Sequence, residues 1–199
     1  MYQFIETIRI EKGEAFRLDL HEKRMNITRN FFWPDSPELK LKEILIKTNF
    51  NQYTERTRCR IVYDQNFIEC KYYSYSPRQI KNLKCLYTDQ LQYQFKSADR
   101  TEIDRLFATR EDFDDVLFVR NNLITDTSIA NIAFWNGQEW HTPKHPLLAG
   151  THREALIKTG EIHPYDITTD QLQNYSHACL FNALLDFGEI IIETRRISI

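Results

Sequence analysis

Two runs of alternating side chains, RTRCRIVYD (56–64) and NFIECKYYSYS (66–76), flank a short polar turn at Asp64–Gln65–Asn66. Period-two alternation closed by such a turn predicts an antiparallel hairpin with one face against a core. The pattern recurs. VLFVRNN (116–122) turns at Asn121–Asn122 into LITDTS (123–128), and IANIAFW (129–135) turns at Asn136–Gly137 into QEWHTP (138–143). YQFIETIRI (2–10) reads as a strand, with EAFRLDL (14–20) as its hairpin partner across Gly13; KCLYTD, HACLFNALL and GEIIIETRRI supply further strands.

Helical patterns interrupt the strands. Residues 21–32 read as a helix stopped at Trp33–Pro34, and 39–50 as one placing Leu41, Ile44, Leu45 and Thr48 on one face. Residues 99–112 and Thr151–Thr159 are further helices, the second closed by Gly160, and Thr168-x-x-Gln171 has the form of a capping box. The sum is a mixed α+β chain in two lobes, 1–86 and 87–199. With 42% hydrophobic residues, including 13 Phe and 10 Tyr, it can fill a core.

Several classes of function fall away. The net charge is -2 and no Lys/Arg block occurs, so no nucleic-acid partner is implied. No apolar run approaches the roughly 20 residues that span a bilayer, and MYQFIETIRI lacks a signal peptide's form, so a cytoplasmic protein is expected. Cys59, Cys70, Cys85 and Cys179 are scattered without a C-x-x-C pair and read as reduced thiols. His141 and His145 are separated by Pro143, which speaks against a metal site. Neither G-x-G-x-x-G nor a P-loop is present.

Polar residues in unexpected places carry the chemistry. Thr125, Asp126, Thr127, Ser128 and Asn131 interrupt the otherwise apolar run 121–137, which reads as a strand-turn-strand, and Lys96 follows a strand-like YQF. Singly, such a lysine is most often a surface residue and such an aspartate a turn residue. Jointly they suit pyridoxal 5'-phosphate, which takes a lysine on its aldehyde and a carboxylate on its ring nitrogen. Its phosphate requires a cation and backbone N–H groups at a helix start; Arg24 and Gly150–Thr151–His152 are candidates.

At this point the chain resembles the fold-type IV pyridoxal-phosphate enzymes, which include branched-chain and D-amino-acid aminotransferases and aminodeoxychorismate lyase. The matching segments are ETIRI (6–10), HEKRM (21–25), KSADR (96–100), ITDTSIANIAFWNGQEWHTP (124–143), LLAGTHRE (147–154) and FNALL (181–185), in the family's order. The resemblance implies a D-amino-acid-aminotransferase-like fold with mixed sheets, an active-site cleft between the lobes, a homodimer and a small-molecule amine substrate. It implies that Lys96 holds the cofactor and moves the proton, that Asp126 pairs with the pyridine nitrogen, and that Arg24, Thr151 and His152 bind phosphate. It puts Ser128 and Asn131 in the surrounding shell, with Ile129, Ile132 and Phe134 packed behind.

Within the family, ETIR and FNALL are closer to aminodeoxychorismate lyase. Thr7 then stands where that enzyme has a threonine thought to donate a proton. Arg9, Arg58 and Arg60 are candidates for the substrate's carboxylates, and Asn182 is a further candidate for binding the substrate. The implied reaction converts 4-amino-4-deoxychorismate to 4-aminobenzoate and pyruvate, in folate biosynthesis. An amino-acid aminotransferase and a non-catalytic family member are the alternatives. The chain departs from the family in carrying Asp126 where Glu is usual, in beginning almost on the first motif, and in lacking the glycine-rich loop after RIVYD.

Overall fold

A computed structural model describes residues 2–199. The chain divides into two compact units: one runs to Pro77 and includes Phe95–Asp99, the other holds Arg78–Gln94 and Arg100–Ile199. The division therefore follows Pro77 rather than residue 86, and Lys96 goes with the first unit rather than the second. The reason is hydrogen bonding. Leu83–Tyr87 pairs with strands of the second unit, whereas Ile5 N–H donates to the Lys96 carbonyl (2.9 Å) and Ala98 N–H to that of Gln3 (2.8 Å).

In the first unit, strands β1 (Phe4–Glu11) and β2 (Glu14–Ala15) precede helices α1 (Leu18–Phe32) and α2 (Leu41–Leu45), and β3 (Thr57–Tyr63) and β4 (Phe67–Ser74) follow. The antiparallel sheet has the order β2-β1-β3-β4. Alternation sends Phe4, Ile8 and Ile10 with Cys59, Ile61 and Tyr63 to one face, where Met25 of α1 and Leu41 and Leu45 of α2 cover them. The first helix begins at Leu18, three residues before the expected start, and EAFRLDL retains only a two-residue strand. Arg17, at φ 53, turns the backbone out of the strand before α1. The second expected helix shrinks to Leu41–Leu45, because Asn49 caps a separate 3₁₀ turn and Thr48 hydrogen-bonds the Tyr72 hydroxyl (2.7 Å).

The second unit contains β5 (Leu83–Tyr87), α3 (Thr101–Ala108), β6 (Asp115–Arg120), β7 (Leu123–Thr127), β8 (Asn131–Trp135) and β9 (Trp140–Pro143). Then come α4 (Thr151–Thr159), β10 (His163–Tyr165), β11 (His177–Phe181), β12 (Ile190–Glu193) and β13 (Ile197–Ser198). They form two sheets, β13-β5-β6-β7 and β10-β9-β8-β11-β12, with parallel pairs at β13–β5, β5–β6 and β10–β9. Leu83, Leu117, Val119 and Ile124 of one sheet share a core with Ile132, Phe134, Ala178 and Leu180 of the other. The whole is an α+β fold. Among the described residues no helix is long and apolar enough to cross a membrane.

The run that holds Asp126 is not a hairpin. β7 ends one sheet and β8 lies inside the other, so residues 127–130 form a corner between sheets, closed by Thr127 N–H to the Ala130 carbonyl (2.9 Å). This corrects the expected packing of Ile129. Ile132 and Phe134 are fully buried, but Ile129 stands at the corner and is 38% exposed.

Candidate active site

Asp126 and Asn131 bracket this corner. β7 carries Asp126 inward, and β8 begins with Asn131, whose Nδ2 donates to Asp126 Oδ1 at 2.8 Å and to the Leu148 carbonyl at 3.0 Å. The Leu148 N–H donates to Asp126 Oδ2 at 2.9 Å, so each carboxylate oxygen is fixed. Burial pushes the Asp126 carboxyl up to about 6, against the Leu148 N–H, the Asn131 amide and the nearby positive charge of Arg153. A desolvated, oriented carboxylate of this kind gains most from a cationic N–H partner.

The start of α4 lies beside it. Gly150 is the N-cap residue, and a Cβ there would fall 2.0 Å from Asn131 Oδ1. Gly150 has φ -69 and ψ 142, open to any residue, so close approach rather than backbone freedom requires glycine. Thr151 and His152 occupy the buried first turn. His152 Nδ1 faces the carbonyls of Asn182 (2.8 Å) and Leu185 (3.2 Å), which fixes the proton on Nδ1. Arg153, which the sequence reading passed over, is buried and donates to the Pro143 carbonyl.

Ser128 is directed to the fold itself: its hydroxyl and N–H donate to buried Asp115, and Arg100 donates to its carbonyl at 2.9 Å. Asn182 is likewise engaged by backbone, accepting from the N–H groups of Leu184 and Leu185 and donating to the Ile129 carbonyl.

The first unit places its candidates on both faces of one sheet. On the α1 face, Arg24 forks onto Glu6 of β1, with Nε to Oε1 at 3.0 Å and Nη2 to Oε2 at 2.6 Å. His21, one helical turn before Arg24, meets the same carboxylate through Nδ1 at 2.6 Å. Burial would raise the Glu6 carboxyl, but Arg24 and His21 together hold it at about 2. Glu6 was not singled out from the sequence, and His21, expected to cap or pack at a helix start, packs against that carboxylate. A charge in a core-facing strand position three residues from Arg9 was the available signal, since a fully buried carboxylate requires a cation.

The opposite face carries Thr7 and the arginines. Thr7 lies opposite Arg60, and Arg9 opposite Arg58. Arg9 donates to Glu11 and sits over the Phe16 ring, Arg58 sits over Tyr73 at 4.8 Å, and Arg60 lies 3.7 Å from Glu69. Lys96 lies on the strip bonded to the start of β1, half-buried, next to the strand that carries Glu6, Thr7 and Arg9.

The donor set fits pyridoxal phosphate chemically. The first unit holds an amine next to β1 and a guanidinium oriented by its own counter-ion, and the second, taken by itself, holds a helix start beside a buried, oriented carboxylate. Residues 3–190 match the model of the amino-transferase class IV family. An uncharacterised protein of Haemophilus influenzae is 30% identical over 185 residues, 92% of this chain and 98% of that one. The crystal structure of a candidate 4-amino-4-deoxychorismate lyase from Haemophilus somnus 129PT superposes with a TM-score of 0.87 at 29% identity, covering 93% of this chain and 97% of that one. The Escherichia coli branched-chain amino acid aminotransferase shares the fold, with a TM-score of 0.71 at 14% identity over 94% of this chain and 74% of that one. With its matching segments spread over nearly its whole length, the chain belongs to the class IV amino-transferase family.

Proposed function

We propose that this chain is a pyridoxal-phosphate lyase that releases pyruvate from 4-amino-4-deoxychorismate and leaves 4-aminobenzoate. The observation that carries this reading is the register of β1 on β3. It sets the Thr7 hydroxyl, a proton donor, on the same sheet face as Arg9, Arg58 and Arg60, suited to a substrate with two carboxylates. The likeness to the Haemophilus somnus structure supports the same choice.

The bound cofactor supplies an electron-accepting ring for the charge released at the substrate carbon. Lys96 would hold the aldehyde, and its amine would serve as the base at the substrate carbon bearing nitrogen. Asp126, steadied by Asn131 and Leu148 N–H, would hold a proton at the pyridine nitrogen. Arg24, locked by Glu6, and the α4 start would bind the phosphate. Thr7 donates a proton to the departing enol carbon of pyruvate. Asp126 is one methylene shorter than the usual Glu, so its two fixed hydrogen bonds set where its oxygens can reach.

The test is direct. Purified protein mixed with pyridoxal phosphate should develop near-ultraviolet to visible absorbance that borohydride fixes on Lys96. Given 4-amino-4-deoxychorismate it should yield pyruvate and 4-aminobenzoate in equal amounts. Keto-acid-dependent transfer from alanine, glutamate or branched amino acids without pyruvate release would replace the lyase by an aminotransferase. Absence of any absorbance with added cofactor would leave a non-catalytic family member.

A further inference from the structure

A thiol pair lies in the first unit, on the sheet face opposite to Thr7, Arg9, Arg58 and Arg60. Cys59 of β3 and Cys70 of β4 have their sulphurs 3.4 Å apart. Cys59 is opposite Tyr72 and Cys70 opposite Ile61, so the two cysteines are diagonal neighbours on the core face. From that spacing a disulfide of about 2.05 Å needs the sulphurs to close by little more than an ångström.

Three further features make the pair reactive as a unit. First, the two thiols differ. The Cys59 hydrogen bond holds the Cys70 thiol down to about 7, whereas that same bond, together with burial, drives Cys59 the other way. Cys70 is thus the thiolate and Cys59 the donor to it. Second, Cys70 is half-buried while Cys59 is not exposed at all. The stacked rings of Tyr53 and Tyr72 lie against the pair and also line a neighbouring cleft of about 310 Å³ with Thr54, Thr57, Tyr73 and Ser74. Third, β4 is the edge strand of its sheet, paired with β3 on one side alone. Cys85 and Cys179 differ: both are buried, burial pushes their thiols up, to about 12 and about 11, and among the described residues neither has a sulphur–sulphur contact.

We propose that Cys59 and Cys70 form a site of reversible disulfide formation by exchange with a low-molecular-weight disulfide such as oxidised glutathione. The Cys70 thiolate attacks one sulphur of the reagent; its S–S bond breaks, and the first thiol leaves as thiolate. Removing the Cys70 charge lifts the electrostatic bar on Cys59. Cys59 gives its proton to the departed thiolate and attacks the Cys70 sulphur, expelling the second thiolate, which takes a proton from solvent. Two protein thiols are oxidised and one reagent disulfide is reduced to two thiols. The bond ties the edge strand to β3 between Arg58 and Arg60. Because the sheet must shift to make it, it is readily reduced. The sequence spacing of the four cysteines gave no hint of a pair, since residues 59 and 70 meet only across the β3–β4 ladder.

The test uses the native full-length protein. After oxidised glutathione, differential alkylation and peptide mapping should show 59 and 70 joined, two hydrogens lost in mass, Cys85 and Cys179 still thiols, and full reversal by dithiothreitol. Untreated protein should lose Cys70 to iodoacetamide at least ~10-fold faster than Cys85, following thiolate fraction. Cys59→Ser should trap glutathione on Cys70, and Cys70→Ser should leave Cys59 unmodified. Glutathione persisting on Cys70 in the wild-type protein, an unreactive Cys70, or Cys85 or Cys179 reacting as fast would each overturn the proposal. The wild-type mapping decides even if a variant fails to fold.

Discussion

Replacing Gly150 by Ala tests how the carboxylate is held. The backbone there is open to alanine, and in the unfolded chain the change alone would stabilise by about 0.4–1 kcal/mol. The structure reverses that sign. The new methyl would lie 2.0 Å from Asn131 Oδ1, inside the 3.0 Å that Cβ contacts keep, so the amide must retreat by about 1 Å. Asn131 is short and pinned by bonds of 2.8 Å to Asp126 and 3.0 Å to the Leu148 carbonyl, both of which that retreat breaks. A buried hydrogen bond to a charged group contributes about 1.5–3 kcal/mol and a neutral one about 1, so the net loss is about 3 kcal/mol. Urea titration should show a lower midpoint with an unchanged slope. Asn131→Ala alone should cost a similar amount, and the double variant little more than either, since the methyl then has room. Full additivity, or a Gly150→Ala stability within about 0.5 kcal/mol of wild type, would refute the argument, because distant independent changes add.

Other expectations follow from the charges. The Asp126 carboxyl is raised in the folded state, so the native protein binds more protons than the unfolded chain between pH ~4 and ~6, and Asp126 makes stability fall as pH rises through that window, by roughly 3 kcal/mol. Comparing urea midpoints from pH 4 to 7, Asp126→Asn should flatten that fall; an unchanged slope would contradict the burial. Glu6 works in the opposite sense: its depressed carboxyl contributes stability that is complete above pH ~4.5 and lost as pH drops towards 2. Glu6→Gln removes one member of a buried pair and should cost about 3–5 kcal/mol by thermal melting. It should also weaken pyridoxal phosphate more than pyridoxal in equilibrium titrations, since the phosphate is what Arg24 would grip; equal losses would sever Glu6 from that role. Arg58→Ala should raise KM for a dicarboxylate substrate with little change in kcat, and an unaltered KM would remove Arg58 from the substrate face.

Alternation at RTRCRIVYD and NFIECKYYSYS was enough to specify the β3–β4 ladder, because one buried face admits a single register. The family order of motifs pointed to Lys96, Asp126 and Arg24 because residue type and spacing survive where geometry is invisible. Three things were not legible. The polar run around Asp126 read as one strand-turn-strand, yet β7 and β8 belong to different sheets, and period-two patterning is blind to which sheet a strand joins. Parallel pairings such as β9 with β10 leave no local turn to detect. Partners distant in sequence, Glu6 with Arg24 and Asn131 with Gly150, meet only when strands and helices pack. The sequence by itself thus determined which side chains exist and which face of each strand they take, since that follows from local periodicity. The tertiary structure alone decided which of them touch, because burial and hydrogen bonding act between residues that the chain order keeps apart.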